Sequence, residues 1–144
     1  LALSLRHPIR DRRPVDRLLR ASFGVFWVVL LFAAVQLFRR SPTIFPWTIE
    51  PHVEVMVGWL FLGSFAYFAW GFFFPSWHNA RGQLLAFLAY DLVLLPRYLL
   101  LIPVVSPAHL PSLVVYLAVI GYSTALAVYY LFLNPRTRRW AIEE

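Results

Sequence analysis

An acidic and a basic side chain, Asp91 and Arg97, share one otherwise apolar stretch that runs from about Leu84 to Val105. At mid-span an isolated charge costs about 2.5–3.5 kcal/mol on insertion scales, so such residues should face protein or water. Six positions along a helix amount to about 600° of rotation, which leaves the two side chains about 120° apart. That is not the i, i+4 spacing of a helical ion pair. Pro96 lies between them and frees the carbonyl of Leu92, so a local kink that alters this geometry is a further expectation. Three readings follow. Asp91 binds a proton or cation, with Arg97 as its modulator or as an anion contact. Alternatively, each charge pairs with another helix and locks a subunit in place. In the third, Arg97 reaches along its apolar stem to the outer surface, toward Glu54 or Glu50.

Aromatic rings supply a second pattern. Ten of the nineteen residues from Trp59 to Trp77 are aromatic, including Phe68 and Trp70. An interfacial belt accounts for the end near Trp77 but not for a whole span. Such a π surface fits helix and lipid packing, or a pigment, quinone or carotenoid. Glycines, alanines and Ser64 leave notches beside the rings. The histidines His7, His52, His78 and His109 fall in tails, loops or span ends. A haem held between helices needs histidines well inside facing spans, which leaves His52 and His78 only as membrane-edge ligands. Ala118, Gly121 and Ala125 form a small-residue face on the last apolar stretch, suited to close approach of another helix. Ser123 and Thr124 beside it can add interhelical hydrogen bonds.

Other chemistry is excluded. With no cysteine there is no disulfide, thiolate metal site or cysteine nucleophile. The sequence contains no HExxH-type metal motif, P-loop, dinucleotide fingerprint, catalytic triad or paired-carboxylate site.

The elements that position these residues are set by composition. The chain is 60% apolar and 14% charged, against about 45–50% and about 25% in soluble domains. That much apolar surface cannot be hidden in one small core, so lipid is the natural solvent. Four apolar stretches, about 21–38, 53–74, 84–105 and 113–133, are each long enough to cross a bilayer as a helix. None alternates like a membrane strand. The fold class is therefore all-α and integral to the membrane, with four transmembrane helices and short loops. Residues 1–20 form a basic cytoplasmic or interfacial tail, in which Pro14 opens a short helix through Leu19. Residues 134–144 form a C-terminal tail, with Asn134-Pro135 as the helix stop. Tight connections are expected over Ser76–Gly82 and Ser106–Ser112, and an interfacial aromatic loop over Arg39–Pro51.

The thirteen basic residues are all Arg, and net charge is +6. They gather at the ends rather than over a folded face, which argues against nucleic-acid binding. The N-terminal tail, the second loop and the C-terminal tail hold six, one and three Arg, against Arg39 and Arg40 opposite. Both termini are then cytoplasmic by the positive-inside rule, with Glu50 and Glu54 offsetting the exception. The chain opens at Leu1, not Met. Its first apolar run ends at Arg39-Arg40 without a small-residue cleavage site, which reads as a span rather than a signal peptide.

Taken together these features point to a small non-catalytic accessory subunit of a larger membrane complex, respiratory or photosynthetic, in a bacterial inner membrane. Lipids and other integral subunits are its expected partners. One alternative is an oligomeric transporter or channel using Asp91 and Arg97, functioning as a homo-oligomer. Another is a lipid- or isoprenoid-modifying enzyme using Asp91, Glu54 or Glu50.

Overall fold

The computed structural model describes residues 14–137. The readings placed on the tail up to Arg13, on Arg138, Arg139 and Trp140, and on the last four residues lie outside them. The described residues form four helices and no strand: α1 (Arg17–Phe38), α2 (Pro51–Phe73), α3 (Trp77–Leu101) and α4 (Leu110–Val128). A π-helical turn, Tyr129–Leu133, extends α4. All four are long and apolar enough to cross a membrane. At 1.5 Å per residue, the 22 residues of α1 rise about 33 Å. In lipid the backbone must satisfy its own polar groups, and uninterrupted helices do this.

The chain folds as two hairpins. α1 lies along α2 and α3 along α4, while contact between the hairpins is sparse. α1 starts at the end of the bundle where Arg20 and Arg81 lie, here the basic end, and the two longer loops close the opposite end.

Three boundaries differ from the sequence expectation. α3 begins at Trp77, so the expected turn over Ser76–Gly82 shrinks to the residues just before it. Ser76 caps this helix, its hydroxyl accepting from the Asn79 N–H at 3.4 Å. Trp77, Ala80, Gln83 and Leu84 then fall on one buried face, which holds the extra turn against the bundle. The short helix expected through Leu19 is not separate either. α1 starts at Arg17, after Pro14, and runs into the first span without a break. α4 starts at Leu110 with Pro111 in its first turn, where the missing N–H costs nothing.

The basic end is closed by specific polar contacts. Arg20 Nε donates to the Phe72 carbonyl at 3.1 Å, in the last turn of α2, and its guanidinium lies 5.2 Å from the Phe72 ring centroid. Tyr130 donates to Asp16 Oδ2 at 2.8 Å, joining the start of α1 to the π turn. That turn is closed by Asn134 N–H to the Tyr129 carbonyl at 2.8 Å. At the opposite end His109 Nδ1–H donates to the Phe45 carbonyl at 2.8 Å, and Ser112 donates to the Thr43 carbonyl, pinning the first loop to the start of α4.

α1 ends in a Schellman arrangement, with Ser41 N–H on the Gln36 carbonyl and Arg40 N–H on the Leu37 carbonyl. Arg40 occupies the left-handed position at φ 55°, where glycine is usual. A side chain there costs about 1–2 kcal/mol, partly offset by the greater unfolded-chain freedom of glycine. Arg40→Gly is therefore expected to raise stability by up to about 1 kcal/mol, read as a higher thermal midpoint in mild detergent. A lower midpoint would show that the Arg40 side chain contributes more than its backbone costs.

Candidate functional site

Asp91 lies midway along α3 and is only 2% exposed. Its Oδ2 accepts from Ser123 Oγ at 2.5 Å and from Thr124 Oγ1 at 3.1 Å, both on α4. Ser123 Oγ also lies 3.0 Å from the Ile120 carbonyl, so its one proton is shared between two acceptors. No donor reaches Oδ1 among the described residues, and that oxygen is not sealed off by protein. Asp91 instead lines a partly open cavity of about 320 Å³ between the hairpins. Its walls are Phe26, Val29, Leu30 and Ala33 of α1, Ile44 of the first loop, Phe61 of α2, and one face each of α3 and α4. Tyr90, Asp91, Ser112, Tyr116 and Ser123 are the polar members of an otherwise apolar lining. Along α4 it extends from Pro111 to Ser123, about 18 Å of helix.

A second cavity of about 470 Å³ lies across a shared wall that includes Phe61, Phe87 and Tyr90. Gln83 borders it and is fully buried. Its Nε2 donates to the Tyr67 carbonyl at 2.8 Å, while its Oε1 is buried without a donor. A Cβ on Gly71 would overlap this amide, so the position of the Gln83 side chain against α2 depends on glycine there. Sequence reasoning missed Gln83, because it began the third span at Leu84. The usable signal was its place on the same helical face as Trp77 and Ala80.

Arg97 is on the exposed side of α3, one turn from its end, and makes no hydrogen bond or ion pair among the described residues. The structure therefore separates Asp91 from Arg97, as their angular spacing implies, although α3 continues through Pro96. Arg97 meets neither Glu54 nor Glu50. Glu54 lies half-buried in the first turn of α2, and Glu50 sits 3.1 Å from His52, both exposed. His78 is exposed in the first turn of α3. No group of three or more potential metal ligands occurs among the described residues.

The aromatic candidates divide in the same way. Phe68 is buried and stacks on Phe87 with centroids 4.6 Å apart. Trp59 and Trp70 are more than half exposed, against Phe38 and Phe74, and border neither cavity. The three do not form one cofactor pocket. Trp27, which the sequence did not single out, is stacked against Phe65 and Phe72 and ties α1 to α2. Ala118, Gly121 and Ala125 are all exposed, and a Cβ on Gly121 would meet nothing within 4 Å. Comparison of the chain with protein-family models, curated proteins and solved structures finds no match.

The hydroxyls on Asp91 make a thermodynamic test possible. Removing donors from a buried acceptor costs more than removing the whole polar cluster. The double variant Ser123→Ala with Thr124→Val is expected to lose about 1–2 kcal/mol of stability in detergent. Adding Asp91→Leu to that pair should recover most of the loss. A triple variant less stable than the double would show that Asp91 has stabilising partners beyond these hydroxyls.

Proposed function

We propose that this chain is a small non-catalytic subunit that joins a larger assembly in the membrane through the outward face of α4. The observation that carries this reading is the open Gly121. Ala118, Gly121 and Ala125 fall within about 60° of one another around α4 and face away from the rest of the chain. Helices in lipid associate through close backbone approach, since apolar side chains gain little by leaving lipid for protein. A glycine facing open space on a spanning helix is therefore suited to a partner helix. The exposed apolar rings and aliphatic side chains of α2 and α3 give lipid and further subunits a surface without specific polar demands.

The Arg distribution supports both termini on the cytoplasmic side; a bacterial inner membrane is the proposed location. Arg20 and Arg81 then lie at the cytoplasmic end, and Arg97 reaches from the far end of α3 toward the opposite interface. The proposed setting is a respiratory or photosynthetic assembly.

A transporter or channel reading retains one favourable observation, the buried carboxyl beside a cavity, with Arg97 outside it. In the enzyme reading, Glu50 and Glu54 would have to act apart from Asp91, because neither lines its cavity.

Purification from native membranes in mild detergent, with mass spectrometry of what co-elutes, tests the proposal. Stoichiometric larger membrane subunits are expected with the native chain. Gly121→Leu should weaken their retention by about ten-fold, equivalent to about 1.4 kcal/mol, while leaving the thermal midpoint of the isolated chain unchanged. Elution of the native chain as a homo-oligomer alone would count against an accessory role and favour transport.

A further inference from the structure

We propose that Asp91 is held as a neutral acid with its Oδ1 proton presented to the inter-hairpin cavity. That cavity then takes an apolar molecule through a hydrogen-bond-accepting oxygen, such as a ketone, quinone or ester carbonyl. The proposal does not depend on the accessory-subunit reading.

The two carboxyl oxygens of Asp91 have unequal surroundings. Oδ2 receives both available hydroxyls, from Ser123 at 2.5 Å and Thr124 at 3.1 Å, as a carbonyl oxygen can. Oδ1 receives none. A carboxylate would spread its charge over both oxygens and leave one half of it without a donor beside a mostly apolar cavity. An acid proton on Oδ1 removes that charge and explains why no donor points there. Among the described residues, no charged side chain other than Asp91 lines the cavity. α1, the first loop and α2 contribute only apolar side chains to the cavity, α3 adds Tyr90, and α4 adds Tyr116 and two serines. Arg97 is on the exposed side of the same helix.

A proton on Oδ1 becomes a donor in need of an acceptor. Ser112 is already committed to the Thr43 carbonyl, and Ser123 to Asp91 itself and the Ile120 carbonyl. The Tyr116 hydroxyl is buried without a partner, and among the described residues neither it nor the Tyr90 hydroxyl is hydrogen-bonded to Asp91. An acyl or isoprenoid chain lying along the cavity would satisfy the apolar walls, which follow α4 from Pro111 to Ser123. A carbonyl on that chain would satisfy Oδ1–H. A plain hydrocarbon would leave the donor unpaired, and that penalty selects for the oxygen.

Dicyclohexylcarbodiimide tests both halves of the proposal with one reaction. A protonated carboxyl adds across its C=N bond, with Oδ1 bonding to the central carbon and the proton moving to nitrogen. The acyl group then shifts from oxygen to the other, unprotonated nitrogen, giving a stable N-acylurea with no leaving group. Full-length protein in mild detergent at pH 7 should be labelled at Asp91, as mapped by peptide mass spectrometry, and Asp91→Asn should abolish that adduct. A water-soluble carbodiimide with an added amine should label exposed Glu50 and leave Asp91 unmodified. Methyl laurate should slow labelling of Asp91 by about five-fold to ten-fold, the equivalent of one ordinary hydrogen bond. Dodecane at the same concentration should slow it far less. Absence of the Asp91 adduct while Glu50 reacts normally would overturn the neutral-acid assignment. Equal protection by dodecane and methyl laurate would overturn acceptor recognition. Neither result bears on whether partner subunits co-purify, so this proposal and the accessory reading can fail separately.

Discussion

A carboxyl at the middle of a membrane has to be satisfied by protein, and in this chain the pairing of α3 with α4 follows from that need. Asp91 finds its two hydroxyls at adjacent positions of α4, which fixes the rotation of one helix on the other. With that register set, Tyr98 and Tyr116 come together as a stacked pair, centroids 5.4 Å apart, seven residues beyond Asp91 and before Ser123. Phe45 of the first loop stacks on the same Tyr116 at 5.5 Å, so the register reaches the loop end of the bundle as well. A single polar contact thus orders a series of apolar ones that carry little directional information themselves.

The other hairpin is held differently. α1 and α2 have no buried charge between them. Trp27 lies against Phe65 and Phe72, and Phe23 and Phe26 meet Phe68. Offset and tilted rings of this kind contribute about 0.5–1.5 kcal/mol per pair beyond buried area. Rings are also bulky and rigid. Where the two hairpins meet, Phe26, Phe68 and Phe87 make contact across the interface, but flat faces of this size do not interdigitate as aliphatic ridges do. The two cavities on either side of the wall containing Phe87 are the geometrical result.

Much of this was legible in the sequence, and what was not has a common cause. The four spans follow from long, predominantly apolar runs, and the divergence of Asp91 and Arg97 follows from helical rotation alone. The outward direction of Gly121 was not readable, because a small-residue face has the same appearance whether its partner is in the same chain or another. Pairings between distant residues were equally hidden. Asp16 reads as one acid in a basic segment until Tyr130, 114 positions later, donates to it. His109 reads as a loop histidine until the Phe45 carbonyl arrives. Each contact depends on the tertiary arrangement, whereas each span depends only on its own composition. The misplaced start of α3 belongs to an intermediate class. Ser76 is a recognisable cap, but Arg81 and Gln83 make the first turns too polar for an apolar-run criterion.

The division of labour on α4 follows from the same geometry. Gly121 and Ser123 are about 200° apart around the helix, so one faces open space and the other faces Asp91. A residue on the outward arc can change without disturbing the carboxyl, and one on the inward arc can change without touching the outer surface. This separation would be lost if the small residues lay between α4 and α3, where close backbone approach would fill the space now left as cavity. Asp91 would then be enclosed on every side, a purely structural residue. Its remaining access to the cavity exists because the close-packing face of α4 is turned outward. The same rotation that gives Asp91 its hydroxyls therefore also leaves room beside it for a ligand.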